Sequence, residues 1–344
     1  MKTQYANAVT QYENGTSLGG RIIKEGGLVV FPTETVYGLG ANGLNSEAVL
    51  RIFAAKGRPA DNPLILHIAK KSELKPLWSH VPDNARILAD TFWPGPLTMI
   101  FNRSSIVPDE VTAGLDTVAV RMPLNKTARA LINAAGVPIA APSANLSGKP
   151  SPTTAEHVRQ DMDGRVDLII DGGPCKYGLE STVVSLIGRP TILRPGAVTK
   201  EMLEAVIGPV DVAHAVLSSL REGETAASPG MKYRHYAPDA EVVVAEGRER
   251  EIAAKICREY DAREAAGEDC IIFATKQTQP FYRGRNCVII GDRTEPATLC
   301  ASLFYSLREY GDRAGVIFAE ALPNDDMGLA YMNRLLRSAG FNII

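Results

Sequence analysis

Short runs rich in valine, isoleucine and leucine alternate with amphipathic stretches over roughly residues 1–205, with turn-forming residues between them. The runs predict strands at Leu28–Phe31, Leu64–Ile68, Leu97–Phe101, Thr117–Arg121, Val137–Ala141, Asp167–Ile170, Thr182–Leu186 and Thr191–Leu193. A 3.6-residue spacing predicts helices at Ser46–Ala55, Asp83–Thr91, Lys126–Ala135 and Thr154–Asp161. In the first of these, Ala48, Val49, Ile52 and Phe53 make one apolar stripe, with Asn45 or Ser46 placed to cap it. Eight strands against fewer helices, in irregular order, do not suit a regularly wound dinucleotide sheet. A mixed α/β or α+β domain around one twisted sheet suits them better.

Near Val206 the pattern loosens. Residues 221–240, REGETAASPGMKYRHYAPDA, carry glycine, proline, serine and charge without periodicity and read as a linker. Strands are predicted beyond it at Glu241–Ala245, Cys270–Ala274, Val288–Ile290 and Gly315–Phe318, with helices at Arg248–Asp261, Pro296–Tyr310 and Leu329–Ala339. That βα alternation predicts a smaller Rossmann/flavodoxin-like α/β domain. The expected organisation is a first domain over 1–205, a linker or lid over 206–240 and a C-terminal domain over 241–344.

At 344 residues the chain is long for a single core, which agrees with that division. A net charge of −2 gives no whole-surface attraction to nucleic acid or anionic lipid, so any site for a polyanion is local. Five cysteines, an odd number without CxxC spacing, argue against a zinc site or a disulfide framework and for a reducing compartment. The N-terminal stretch lacks the apolar segment of a signal peptide, and no apolar run is long enough to span a bilayer; a cytoplasmic protein without membrane contact is expected.

The chemistry-bearing stretches are local. Lys56-Gly57-Arg58-Pro59, followed by Asn62-Pro63, sets two cations one residue apart at a helix exit. They read either as a favourable charge at the helix's negative end or as a hook for phosphate. Ser143 and Asn145 follow the predicted strand that ends at Ala141-Pro142, as ligand groups or as an ordinary Ser/Asx turn. Arg121 closes an apolar run, where it grips a carboxylate or marks a solvated strand end. His67, within Leu64–Ile68, reads first as a structural histidine. Gly178-Leu179-Glu180-Ser181-Thr182 offers N–H groups and hydroxyls for an anion. Gly38–Gly43 matches GxGxxG, but the helix after it starts too late and no acidic strand end follows, so it reads as a glycine loop that a ligand can approach. Lys232–Tyr236 interleaves cations with aromatics, as a nucleic-acid contact, a lid over a nucleotide or a solvated linker.

Together, PTETVYGLG, KGRPADNPL, WPGPLT, VAVRMP, APSANLSG, GLESTVV, RPGAV and SPGMKYRHYAP run in order over residues 32–238. In this set and order the chain resembles the threonylcarbamoyl-AMP synthase family in its long form, a YrdC-like domain with a smaller C-terminal domain. The resemblance implies that L-threonine, bicarbonate and ATP give threonylcarbamoyl-adenylate and pyrophosphate. It implies magnesium bound mainly through the ATP phosphates, with no protein metal site. Downstream tRNA threonylcarbamoyl transferase proteins would use the product beside the anticodon; contact with tRNA itself is compatible but not required. By position, Lys56, Arg58, Ser143 and Asn145 correspond to the adenylation set, and Thr35, His67, Arg121 and Ser181 to the threonine site. Asn62, Thr117, Ala141, Ser151, Arg194, Tyr233 and His235 correspond, with the adenylation set, to the ATP site. The rival readings are an RNA-binding YrdC-like module, another carbamoyl or adenylyl transferase on the same fold, and a nicotinamide oxidoreductase built on Gly38–Gly43.

Overall fold

The computed structural model describes residues 2–8, 12–218 and 236–344. The chain divides into two compact units, the first of Met1–Ser147 with Ser151–Lys232 and the second of Gly148–Pro150 with Tyr233–Ile344.

In the first unit the elements run β1 (Gln4–Asn7), α1 (Tyr12–Lys24), β2 (Val29–Phe31), β3 (Gly38–Asn42), α2 (Ser46–Lys56), β4 (Ile65–His67), α3 (Asp83–Phe92), β5 (Leu97–Asn102) and α4 (Asp109–Thr112). Then come β6 (Thr117–Arg121), α5 (Lys126–Ala135), β7 (Ile139–Ala140), α6 (Ala155–Met162), β8 (Leu168–Asp171), β9 (Thr182–Ser185), β10 (Thr191–Arg194), α7 (Lys200–Ile207) and β11 (Asp211–Val212). Its strands form one mixed 11-stranded sheet in the order β1-β8-β2-β3-β7-β4-β6-β5-β9-β10-β11. The expected mixed twisted sheet is there, larger than the runs predicted.

Strand periodicity explains how this sheet serves two purposes. Along β4, β5, β6 and β9, Leu66, Leu97, Met99, Phe101, Val118, Val120 and Val184 enter the main core. The alternate positions, Ile65, Ile100, Ala119 and Val183, form a separate small apolar cluster on the opposite face. Towards β2 and β7 that second face is filled instead by Phe31, Ile139 and Ala141 against Leu131 and Ile132 of α5. The same face carries Thr117, Arg121, His67 and Thr98 at the ends of its rows.

Three departures from the sequence reading have physical causes. The GxGxxG stretch is not a loop: Gly38–Asn42 is strand β3, antiparallel to β2 and β7. A Cβ at Gly40 would sit 2.7 Å from Ile139 and 2.8 Å from the Phe31 ring, so glycine is required for packing rather than for phosphate. Helix α1 escaped notice because its buried stripe is small: Gly15, Thr16, Gly19, Gly20 and Ile23. A Cβ on Gly20 would meet Ala134 of α5 at 2.6 Å, so close helix approach replaces large apolar side chains there. The expected linker start at 206 is also displaced, because α7 runs to Ile207 and β11 pairs in parallel with β10.

The second unit is a four-stranded, all-parallel sheet, β12-β15-β13-β14, built from β12 (Glu241–Ala245), β13 (Cys270–Thr275), β14 (Cys287–Gly291) and β15 (Val316–Glu320). Helices α8 (Glu249–Ala265), α9 (Pro296–Gly311) and α10 (Asp326–Ser338) connect or follow these strands, as the βα alternation predicted. No helix among the described residues is long and apolar enough to cross a membrane.

Helix α2 delivers Lys56. Asn45 caps its start, its side chain accepting from the Ala48 N–H, and Gly57 ends it in the left-handed region at φ 60°, its N–H bonded to carbonyls of Phe53 and Ala54. No atom lies within 4 Å of a Cβ built on Gly57, so a side chain there meets strain only in the backbone. Gly57→Ala is expected to lower stability by about 1 kcal/mol in urea unfolding. An unchanged midpoint would contradict the left-handed cap.

Candidate functional site

The register of the sheet sets the site's two ends. His67 pairs with Arg121, and Thr98 pairs with Arg121 from the other side, so three polar residues share one row. Continuing the same ladders, Ala141, Ile65, Ala119 and Ile100 form the next row, and Ser143 and Thr117 fall one row further on. Thr117 and Arg121 open and close the five-residue strand β6, a span of about 13 Å at the usual strand rise. The apolar cluster of Ile65, Ile100, Ala119 and Val183 lies between as a floor.

At the Arg121 end the guanidinium is held on three sides. Its Nη1 donates to Thr35 Oγ1 at 2.9 Å, its Nη2 to Glu34 Oε1 at 2.5 Å, and its Nε to the Gly95 carbonyl at 3.3 Å. An arginine has about five N–H donors, so two remain among the described contacts, the number a carboxylate takes. Thr35 is itself fixed. Thr33 Oγ1 donates to the Val36 carbonyl at 2.6 Å and lies 2.8 Å from Thr35 Oγ1. On the next strands, Thr98 Oγ1 is 2.8 Å from Ser181 Oγ, which also accepts from Arg194 Nη2 at 3.2 Å. Arg194 Nε reaches the Ser181 carbonyl at 3.1 Å, so Arg194 is tied to the predicted threonine-site serine.

The electrostatics of this end follow from burial. His67 is buried, and loss of water together with the nearby Arg121 charge pulls its pKa down to about 3. It is therefore a neutral imidazole at physiological pH, with Nδ1 3.2 Å from the Ile65 carbonyl. Burial alone would push Glu34 upward, but the Arg121 charge and hydrogen bonds outweigh it and hold its carboxyl below the usual range. Burial raises the nearby Cys175 thiol to about 12, which removes it as a nucleophile.

At the other end, Lys56 Nζ donates to the carbonyls of Ser143 and Asn145, each at 2.6 Å, with Asn145 Oδ1 at 3.4 Å. Ser143 Oγ donates to Asn145 Oδ1 at 2.5 Å. Residues 87 and 89 positions from Lys56 are thus brought onto one ammonium. Lys56 is a buried charge held by backbone dipoles, not a solvated helix-end lysine. Arg58 crosses to the Asn62 carbonyl at 3.1 Å, with its guanidinium carbon 5.7 Å from the Phe53 ring centroid. The Asn62 carboxamide is fully buried, and among the described residues neither its oxygen nor its nitrogen has a hydrogen-bond partner. Such a group costs stability unless something else completes it.

The remaining predicted residues fall in varied places. Ala141 gives its N–H to the Ile65 carbonyl at 2.9 Å, so the sheet uses that donor. Ser151 is fully buried and donates to Glu180 Oε1 at 2.5 Å. Thr117 is partly exposed at its row end. Tyr233 and His235 lie outside the described residues. Glu34, Thr98, Thr33 and Glu180 were not singled out from sequence as site residues. For Glu34 a signal existed: it is a charge just beyond an apolar strand, as Arg121 is.

A family model described as telomere recombination, of the Sua5/YciO/YrdC type, matches residues 21–196, and one described as threonylcarbamoyl-AMP synthase, C-terminal domain, matches residues 198–340. A threonylcarbamoyl-AMP synthase of Pyrococcus abyssi is 48% identical over 325 residues, covering 94% of this chain and 93% of its own. Another, from Bacillus subtilis, is 47% identical over 326 residues, covering 94% and 92%. The crystal structure of P. abyssi Sua5 complexed with L-threonine superposes with a TM-score of 0.93 at 44% identity, over 100% of this chain and 99% of that one.

The His67 environment makes a direct prediction. The imidazole is expected to stay neutral from pH 8 to pH 5 in an NMR titration, whereas a midpoint near 6.5 would contradict its burial. Because the folded pKa is lowered, the unfolded state binds the extra proton first. His67 therefore favours the fold fully above about pH 6.5 and loses that contribution as the pH falls toward about 3.

Proposed function

The chain belongs to the threonylcarbamoyl-AMP synthase family, and from that premise we propose that it joins L-threonine, bicarbonate and ATP into threonylcarbamoyl-adenylate with release of pyrophosphate. The observation that carries the reading is the two-ended face. One end has an arginine with N–H donors left for a carboxylate, and the other, at the Ser143–Asn145 turn, has a buried lysine, with Arg58 held on Asn62.

The chemistry fits those ends. Threonine's carboxylate takes the remaining N–H groups of Arg121, with Thr35, His67 and Ser181 around the rest of the amino acid. Bicarbonate takes up the proton that threonine's ammonium group loses and yields carbon dioxide and water; the neutral amine adds to that carbon dioxide and, releasing a proton to solvent, becomes a carbamate. A carbamate oxygen then attacks the α-phosphorus of ATP, and the bond to the bridging oxygen of the β-phosphate breaks as pyrophosphate leaves. Both reactants are anions, so cations must offset their repulsion, a term of several kcal/mol at an effective dielectric of ~20. Lys56 and Arg58 supply that charge where it grows, and Ser143 and Asn145 border them. The Asn62 carboxamide, without a partner among the described residues, offers its N–H₂ group as donor and its oxygen as acceptor, which suits the nucleotide. Thr117, Ala141, Ser151 and Arg194 complete the proposed nucleotide surroundings.

No protein nucleophile is needed. Catalysis rests on holding a short-lived carbamate against phosphorus. Magnesium would enter with ATP and neutralise its phosphates. Phosphate oxygens suit magnesium, a hard cation that keeps oxygen ligands. The product is a mixed anhydride, to be consumed by proteins that transfer the threonylcarbamoyl group to tRNA adenosine.

Purified protein is expected to release pyrophosphate from ATP only when threonine and bicarbonate are both present. Equal release with threonine omitted would refute the substrate assignment.

A further inference from the structure

Glu34 stands outside the reaction just described, yet it is the carboxylate placed against the threonine end. Its side chain is 5% exposed and that of Arg121 4%, so the pair is almost wholly removed from water. Both carboxylate oxygens are used. Oε1 accepts from Arg121 Nη2, and Oε2 accepts from the N–H groups of Leu124 at 3.0 Å and Asn125 at 3.1 Å, just before α5. A carboxylate occupied in this way, with its proton affinity lowered, is a poor general base and has little room to receive a substrate proton.

Its effect is on net charge. Arg121 alone would present a full positive charge in a poorly solvated place, an attractive position for any small anion. With Glu34 bound, the pair sums to zero, while two directed N–H donors stay on the guanidinium side. A zwitterionic amino acid is itself neutral and gains from those directed donors. At the guanidinium itself, a sulfate, phosphate or triphosphate meets the nearby negative Glu34 and no net charge from the pair; Arg194, held on Ser181, is common to wild type and to every Glu34 variant. The natural position of such an anion is then the Lys56 end, at the Ser143–Asn145 turn.

Resting on the threonine-binding reading above, we propose that Glu34 is a specificity-determining residue: it cancels the charge of Arg121 so that this end of the site admits an amino-acid zwitterion and turns away phosphates and other small anions. Glutamate suits the position because acceptors are needed on both oxygens. Glutamine would turn an N–H₂ group toward either Arg121 or the Leu124–Asn125 amides.

The test is calorimetric threonine binding without ATP, with sodium sulfate as competitor at constant ionic strength. Wild-type protein is expected to bind threonine with little sulfate competition. Glu34→Gln is expected to lower the sulfate inhibition constant at least about tenfold, the effect of an uncompensated charge. Glu34→Asp keeps the charge and is expected to resist sulfate like wild type, even where its threonine affinity falls. A Glu34→Gln constant within about twofold of wild type would overturn the inference, and so would Glu34→Asp behaving like Glu34→Gln. If Glu34→Gln fails to fold, the wild-type titration still decides, because sulfate displacing threonine at concentrations near threonine's own Kd would overturn it. Wild-type protein that binds no threonine would instead refute the functional reading, and this inference with it.

Discussion

A charge taken out of water must be met by fixed dipoles or by an opposite charge, and that constraint shapes the whole working face of the first unit. Two buried cations meet it in different ways. The Lys56 ammonium is held by main-chain carbonyls of the Ser143–Asn145 turn, which compensate it with dipoles. Arg121 is held by a carboxylate, a hydroxyl and a carbonyl, and the carboxylate neutralises it. These solutions give the two ends different appetites. Under the proposed reading, the first suits phosphate charge and the second suits directed hydrogen bonds to a neutral zwitterion.

The sheet makes the arrangement possible. Its period-two alternation sends one set of residues into the main core and leaves Ile65, Ile100, Ala119 and Val183 as a thin floor on the other side. Because β4, β6 and β7 are held in a fixed register, residues distant in sequence reach the same row. The glycines of β3 belong to this scheme. Gly40 lets Phe31 and Ile139 close the far part of the face, so the polar rows are confined to the part over the floor.

Much of this was legible in the chain. Arg121 and Ser143 sit at or just past the end of an apolar run, and Lys56 closes a stripe of Ala48, Val49, Ile52 and Phe53. A charge or hydroxyl in such a place is visible without coordinates. What could not be read was which groups meet. Glu34 reaches Arg121 across 87 positions, and Thr98 meets Ser181 across 83, through register and folding rather than local pattern. Helix α1 was hidden for a simpler reason, since its buried stripe is glycine and threonine and shows no strong apolar period. The GxGxxG match misled in the opposite direction, because glycine needed for packing inside a strand looks the same in sequence as glycine needed for a ligand.

The central claim is that this face has two chemically separate ends. Direct binding of threonine and of ATP, each titrated alone into Arg121→Gln and Lys56→Met, tests it most plainly. The account predicts that Arg121→Gln loses threonine and keeps ATP, while Lys56→Met weakens ATP and keeps threonine. Loss of both ligands in both folded variants, or of neither, would contradict it.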